Sequence, residues 1–160
     1  MKATIDCIIL VSILIIANIA YAGASSVLSV TAVVLSKGNC RFNSSTANLS
    51  FGSLDPSNPV DKNATTTLTF RCQANGNKLV TFSITDDDGL YETGPKAPRM
   101  RHATQTTEYL PYSLSLSPSA GSVPKVTDIP LAISGTVRGV DYENALPGDY
   151  SDRVIISIVP

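Results

Sequence analysis

Three cysteines, one histidine and a run of three aspartates are the residues of this chain best suited to chemistry. Cys7, Cys40 and Cys72 show no CxxC spacing, and His102 is the sole histidine, so a zinc or redox centre lacks ligands. Asp86-Asp87-Asp88-Gly89 has the acid density of a calcium loop. It lacks the longer ligand set, the closing glutamate and the flanking helices that an EF-hand needs. The acids follow an apolar alternation and precede glycine, so a solvated turn is expected. His102 stands beside Arg101 with no companion for a catalytic triad and is expected at the surface. Lys96, Arg99 and Arg101 form a small basic cluster, expected in a solvated loop. Asn43, Asn48 and Asn63 begin N-x-[ST] sequences, which matter only in a eukaryotic secretory pathway. No nucleophile–base pair, acid pair or phosphate loop stands out. Neither an enzyme nor a metal or cofactor is expected.

The first 22 residues decide which of these groups stay together. Lys2 is followed by an apolar run from Ile8 to Ala20 and then by Ala20-Tyr21-Ala22, a small-x-small cleavage site. The run is shorter than the roughly 20 apolar residues of a membrane span. Residues 1–22 therefore read as a signal peptide, with the exported protein beginning near Gly23. Cys7 leaves with that peptide. Cys40 and Cys72 remain as an even pair in a compartment that permits disulfides, and are expected to bond. Closing a loop of that length stabilises a fold by roughly 3–4 kcal/mol in the chain-entropy model.

Cleavage removes one charge of each sign, Lys2 and Asp6, so the formal charge stays at −1. Such a balance gives no electrostatic footprint for nucleic acid or an anionic membrane. Residues 23–160 are of ordinary size for one domain and rich in Ser, Thr, Val, Ile and Leu. Period-2 alternation recurs along them. One face each is expected for Leu68, Phe70 and Cys72, for Val80, Phe82 and Ile84, and for Leu110, Tyr112, Leu114 and Leu116. Pro111 marks an edge or a strand start in the last of these. Ile129, Leu131, Ile133 and Val137 share a face, with Gly135 at a bulge or a close approach. The closing strand, Arg153 to Val159, aligns Val154, Ile156 and Ile158. Leu49-Ser50-Phe51 reads as a short strand before a turn at Asp55-Pro56-Ser57-Asn58-Pro59. Further turns are expected at Asn75-Gly76, Asp88-Gly89, Pro118 to Gly121 and Pro147-Gly148. No stretch of 10–12 residues carries a helical period, and the strand spacing argues for an all-β sandwich.

The stretch from Ser26 to Ser36 differs in being long, β-prone and placed ahead of the first disulfide cysteine. In one register Leu28, Val30, Ala32 and Val34 share a face; the other offers Val27, Val33 and Leu35. The first is preferred because Ser29 and Thr31 interrupt the second. It is either an ordinary first strand or a strand given to another molecule, and composition leaves both open.

Several segments in order resemble the spore coat protein U domain family, which includes subunits of archaic chaperone–usher pili. Cys40-Arg-Phe, then Leu49-Ser-Phe-Gly-Ser-Leu-Asp-Pro56, is similar to the element around its first cysteine. Thr65 to Cys72 resembles its strand ending in the second cysteine. Leu110-Pro-Tyr-Ser-Leu114, Ile129 to Arg138 and Pro147-Gly-Asp-Tyr-Ser-Asp-Arg-Val-Ile-Ile-Ser-Ile158 resemble later strands. The resemblance runs from about residue 25 to the end. The chain departs from it in closing on Val159-Pro160 rather than an aromatic residue, and in having no tryptophan.

The resemblance implies an incomplete immunoglobulin-like β-sandwich with an N-terminal donor-strand extension. Residues 23–36 would be that extension and 37–160 the pilin domain. Leu28, Val30, Ala32 and Val34 would fill a neighbour's groove, and Val154, Ile156 and Ile158 would line one side of the chain's own. The implied partners are a periplasmic pilus chaperone, an outer-membrane usher and neighbouring subunits, with no nucleic acid. The implied function is a structural subunit of a surface pilus, reached through the periplasm, assembled by donor-strand exchange and supporting adhesion and biofilm formation. Two alternatives stand beside it: a secreted self-contained β-sandwich that binds carbohydrate or calcium, and a cell-envelope or spore coat structural protein.

Overall fold

The computed structural model describes residues 31–32, 38–76 and 79–160. The chain divides into two units, residues 1–34 and 35–160. The expected signal peptide, and Leu28, Val30 and Val34 of the expected donor set, lie outside the described residues. Thr31 and Ala32 are exposed and in no strand.

The second unit is built on three long alternating segments. β2 (Lys62–Ala74) turns Leu68, Phe70 and Cys72 inward. β3 (Leu79–Asp86) does the same with Val80, Phe82 and Ile84, and β8 (Asp128–Val137) with Leu131, Ile133 and Val137. Adjacent strand residues point to opposite faces, so each strand has one apolar and one hydroxyl-rich side. β1 (Gly38–Phe42), β2, β8 and β6 (Ser113–Ser117) form an antiparallel four-stranded sheet in that order. β10 (Ile156–Val159), β3 and β7 (Ala120–Pro124) form a second, three-stranded sheet. The two inner faces share one core, in which the Phe70 and Phe82 rings pack at 4.8 Å. The result is an all-β, immunoglobulin-like sandwich.

β4 (Arg99–His102), β5 (Tyr109–Pro111) and β9 (Tyr150–Ser151) make a small third sheet, β5-β4-β9. It lies over a second cluster of Leu110, Val137 and Tyr142. Tyr142 ends α1 (Gly139–Tyr142); its hydroxyl accepts from Val60 N at 2.8 Å and donates to Val60 O at 2.7 Å. Cys40 and Cys72 face each other across β1 and β2 and are joined by a disulfide.

Three expectations need correction. The segment Leu110–Leu116 is two strands in two sheets, not one. Pro111 has no N–H for a ladder, Tyr112 N–H goes to Pro98 O at 3.2 Å, and the chain changes sheet there. The closing strand begins at Ile156 rather than Arg153, because Ile155 N–H bonds the Asp87 side chain instead of a strand carbonyl. Leu49-Ser50-Phe51 is no strand. β1 ends its ladder at the Asn43 N–H to Thr69 O bond, and the chain then leaves the sheet. Of the two readings of Gly135, the close approach holds, since the β2–β8 register runs through it unbroken. A methyl there would stand 2.8 Å from Ser113 O and 3.0 Å from both Leu49 Cδ2 and Phe51 Cζ. The missing side chain is what lets residues 49–51 lie on β8.

Candidate functional site: an apolar groove beside an open strand edge

Among the described residues β10 has a hydrogen-bonded neighbour, β3, on one side only. Asp87 N–H donates to Ile155 O at 3.1 Å, so Ile155 and Asp87 form a hydrogen-bonded pair. In an antiparallel ladder such pairs alternate with pairs whose backbone groups point outward. Ile156 opposite Asp86 and Ile158 opposite Ile84 are of the second kind. Their N–H and C=O groups therefore face away from β3, toward an edge with no strand on it among the described residues.

Beside that edge lies a cleft of about 1260 Å³. Val154, Ile155 and Ile156 form one side, Phe42 and residues 44–54 the other, and Leu68, Leu114 and Ile133 of the four-stranded sheet also line it. Leu49, Phe51 and Leu54 turn into it while half-buried. Among the described residues the backbone of residues 44–54 has only local bonds, such as Gly52 N–H to Ser50 Oγ at 3.3 Å and Thr46 N–H to Ser44 Oγ at 3.3 Å. Both flanks of the cleft thus offer backbone without a sheet partner, over an apolar floor. Near the chain end β1 comes close to β10: a methyl at Gly38 would stand 3.0 Å from Val80 Cγ1 and 3.2 Å from Pro160 Cβ.

Of the expected groove residues, Val154 and Ile156 line the cleft. Ile158 shares their face and packs against the main core, as Ile156 does, but does not line the cleft. Of the expected donor residues only Ala32 is described, and it is exposed. Leu54, Met100, Leu110 and Tyr112 were not anticipated in the groove. The sequence signal for Leu110 and Tyr112 is their apolar alternation with Leu114 and Leu116; Leu54 and Met100 have none.

The acidic turn is a brace as well as a solvated loop. Asp87 Oδ1 accepts from Gly89 N at 3.1 Å and from Ile155 N at 2.8 Å. Asp152 Oδ1 accepts from Leu90 N at 3.0 Å, and its other oxygen accepts from the Tyr112 hydroxyl at 2.8 Å. Burial, and then that carboxylate, push the Tyr112 phenol well above its ordinary range, so it stays a donor. These bonds fix the start of the β10 wall. Among the described residues no three His, Cys, Asp or Glu side chains come together as a metal site.

Two further expectations are overturned. His102 is buried, 5% exposed. Its Nδ1 accepts from Thr104 N at 3.1 Å and Gln105 N at 3.0 Å, Nε2 donates to Pro147 O at 3.1 Å, and its ring meets Tyr150 edge-on at 4.9 Å. It crosslinks the small sheet to the loops around it, which no residue spacing announced. Arg99 and Arg101 are on β4, not in a loop, and each lies over a tyrosine ring.

A sandwich with an apolar cleft beside a strand edge that has no partner among the described residues has the form of an incomplete immunoglobulin-like domain. The Spore Coat Protein U domain matches residues 24–157, and the chain belongs to that family. Membership marks it as structural and non-enzymatic. No curated protein matches the sequence. One similar solved chain comes from work described as "Chaperone-tip adhesin complex is vital for synergistic activation of CFA/I fimbriae biogenesis", at 11% identity and a TM-score of 0.47. The likeness covers 78% of this chain and 41% of that one, so this chain spans about two-fifths of its length. That likeness is too slight to carry a function. Among the described residues no helix is long and apolar enough to cross a membrane.

Proposed function

We propose that this protein is a subunit of a surface pilus of the chaperone–usher type, assembled by donor-strand exchange. The observation that carries the reading is the cleft beside β10, apolar within and flanked by backbone that has no sheet partner among the described residues. Such an edge is an aggregation liability unless something covers it. Strand addition covers it: main-chain hydrogen bonds give affinity and alternate side chains in pockets give specificity. A periplasmic chaperone would hold the groove first, an outer-membrane usher would exchange it, and a neighbouring subunit would fill it. Adhesion and biofilm formation are the roles of the finished fibre. The strand on offer is the segment 23–36, with Leu28, Val30, Ala32 and Val34 inward and residues 37–160 as acceptor domain. Each large inward side chain would contribute about 1.5–3 kcal/mol on burial, alanine less.

The test is a contrast between neighbours. Val30→Asp places a carboxylate in a pocket without a partner and should stop polymerisation, at a cost of roughly several kcal/mol per junction. Thr31→Asp, on the opposite face, should be tolerated. Deleting residues 23–36 should leave a subunit that is recovered with its chaperone but absent from fibres. The reverse contrast would move the register by one residue. Wild-type fibres from all three variants would end the donor-strand account.

A further inference from the structure

The outer face of the small sheet carries a second surface, separate from the groove. Arg99 lies 4.1 Å over the Tyr109 ring, Arg101 lies 4.4 Å over the Tyr91 ring, and the two rings are 6.0 Å apart. Arg99 Nε is further fixed by Tyr91 O at 2.9 Å. Stacking holds a guanidinium flat without using up its in-plane donors. Among the described residues no carboxylate pairs with either arginine, and neither phenol oxygen of Tyr91 or Tyr109 has a hydrogen-bond partner. Arg71 pairs with Asp128 at 2.6 Å and Arg138 with Asp141 at 2.8 Å, so two arginines elsewhere on the chain have their charge met. Met100 and Leu110, the adjacent residues on the same strands, line the groove. By strand alternation the arginines face away from it. The surface therefore stays open when the groove is filled.

We propose that Arg99, Arg101, Tyr91 and Tyr109 bind an acidic polysaccharide. Two rigid planar forks match sugar carboxylates bidentately, and two free phenols match the hydroxyls beside them. An acidic peptide would use the forks and leave the phenols idle. Binding by one subunit does not depend on the pilus reading. If that reading holds, the site recurs once per subunit and the fibre gains by avidity.

The experiment measures binding of polygalacturonate to the purified full-length protein, with dextran and polyglutamate as comparison polymers. Polygalacturonate should bind, weaken with salt, and lose about tenfold or more in affinity in Arg99→Gln/Arg101→Gln. Arg99→Lys/Arg101→Lys keeps the charge but loses the forks, and should recover little of that loss. Tyr91→Phe/Tyr109→Phe keeps the rings and should weaken polygalacturonate alone. Equal binding of polyglutamate, or full affinity in either arginine variant, would overturn the proposal. The Val30→Asp subunit should bind polygalacturonate like wild type, so failure of the pilus reading and failure of this site are read separately.

Discussion

The flank of the sandwich at β2 and the flank at β10 are written in the same code and end in different states. On β2, Leu68, Phe70 and Cys72 alternate with Thr67, Thr69 and Arg71, and the inward side chains are 9%, 0% and 0% exposed. On the closing segment, Val154, Ile156 and Ile158 alternate with Ile155, Ser157 and Val159, yet all three inward side chains are only half-buried. The difference is one of neighbours. β2 is hydrogen-bonded on both sides and clamped to β1 by the disulfide; among the described residues β10 has one hydrogen-bonded neighbour. An alternating pattern says which face turns inward, but a second strand is needed to bury it.

That contrast predicts unequal costs for similar truncations. In the isolated subunit, Phe70→Ala should cost about 3–5 kcal/mol of unfolding free energy, because the side chain is fully enclosed. Ile156→Ala should cost only about 1–2 kcal/mol, since its surroundings are half solvent. Denaturant titration of both variants compares them. Equal losses would mean that the groove is already filled in the free subunit. In the complemented subunit the Ile156→Ala loss should grow.

A smaller effect is expected at the brace that sets the β10 wall. Asp87→Ala removes the acceptor for the Ile155 and Gly89 amides and should lower stability by about 1–2 kcal/mol. Calcium should leave the melting temperature of the wild type unchanged. A saturable, chelator-reversible rise that Asp87→Ala abolishes would turn the brace into a cation site.

The smallest effect is expected from Asp86. Burial raises its carboxyl above the ordinary 3.8. The folded state thus favours the protonated form. The penalty for ionising it is absent below the unfolded value and complete once pH exceeds the folded one. Asp86→Asn, which can still accept from Asp88 N–H, should melt slightly above wild type at pH 7 and level with it at pH 3. A variant that melts lower at pH 7 would show that the charged form is in use.

How far the sequence carried the fold follows from the same contrast. β2, β3 and β8 were legible because each has strict alternation and partners on both sides. The disulfide was legible because signal cleavage would leave an even pair. Leu49-Ser-Phe51 has the alternation without the partner, and pairing is set by distant chain. The break at Tyr112 depends on which sheet each half meets, although Pro111 marked the place. His102 looked exposed because its acceptors and donors are backbone groups of Thr104, Gln105 and Pro147, which no side-chain pattern reveals. Arg99 and Arg101 looked like loop charges because Tyr91 and Tyr109 reach them only through folding.

The central claim is that β10 is an edge waiting for a strand. Amide hydrogen exchange at Ile156 and Ile158 tests it most directly, because both N–H groups point away from β3. In the isolated subunit these two amides should exchange rapidly while Ile155, bonded to Asp87, is slower. In assembled fibres, or with a saturating peptide of residues 26–36, both should become protected to the level of the β2 amides. Protection of Ile156 and Ile158 that is already high in the isolated subunit, and unchanged on assembly, would contradict the account.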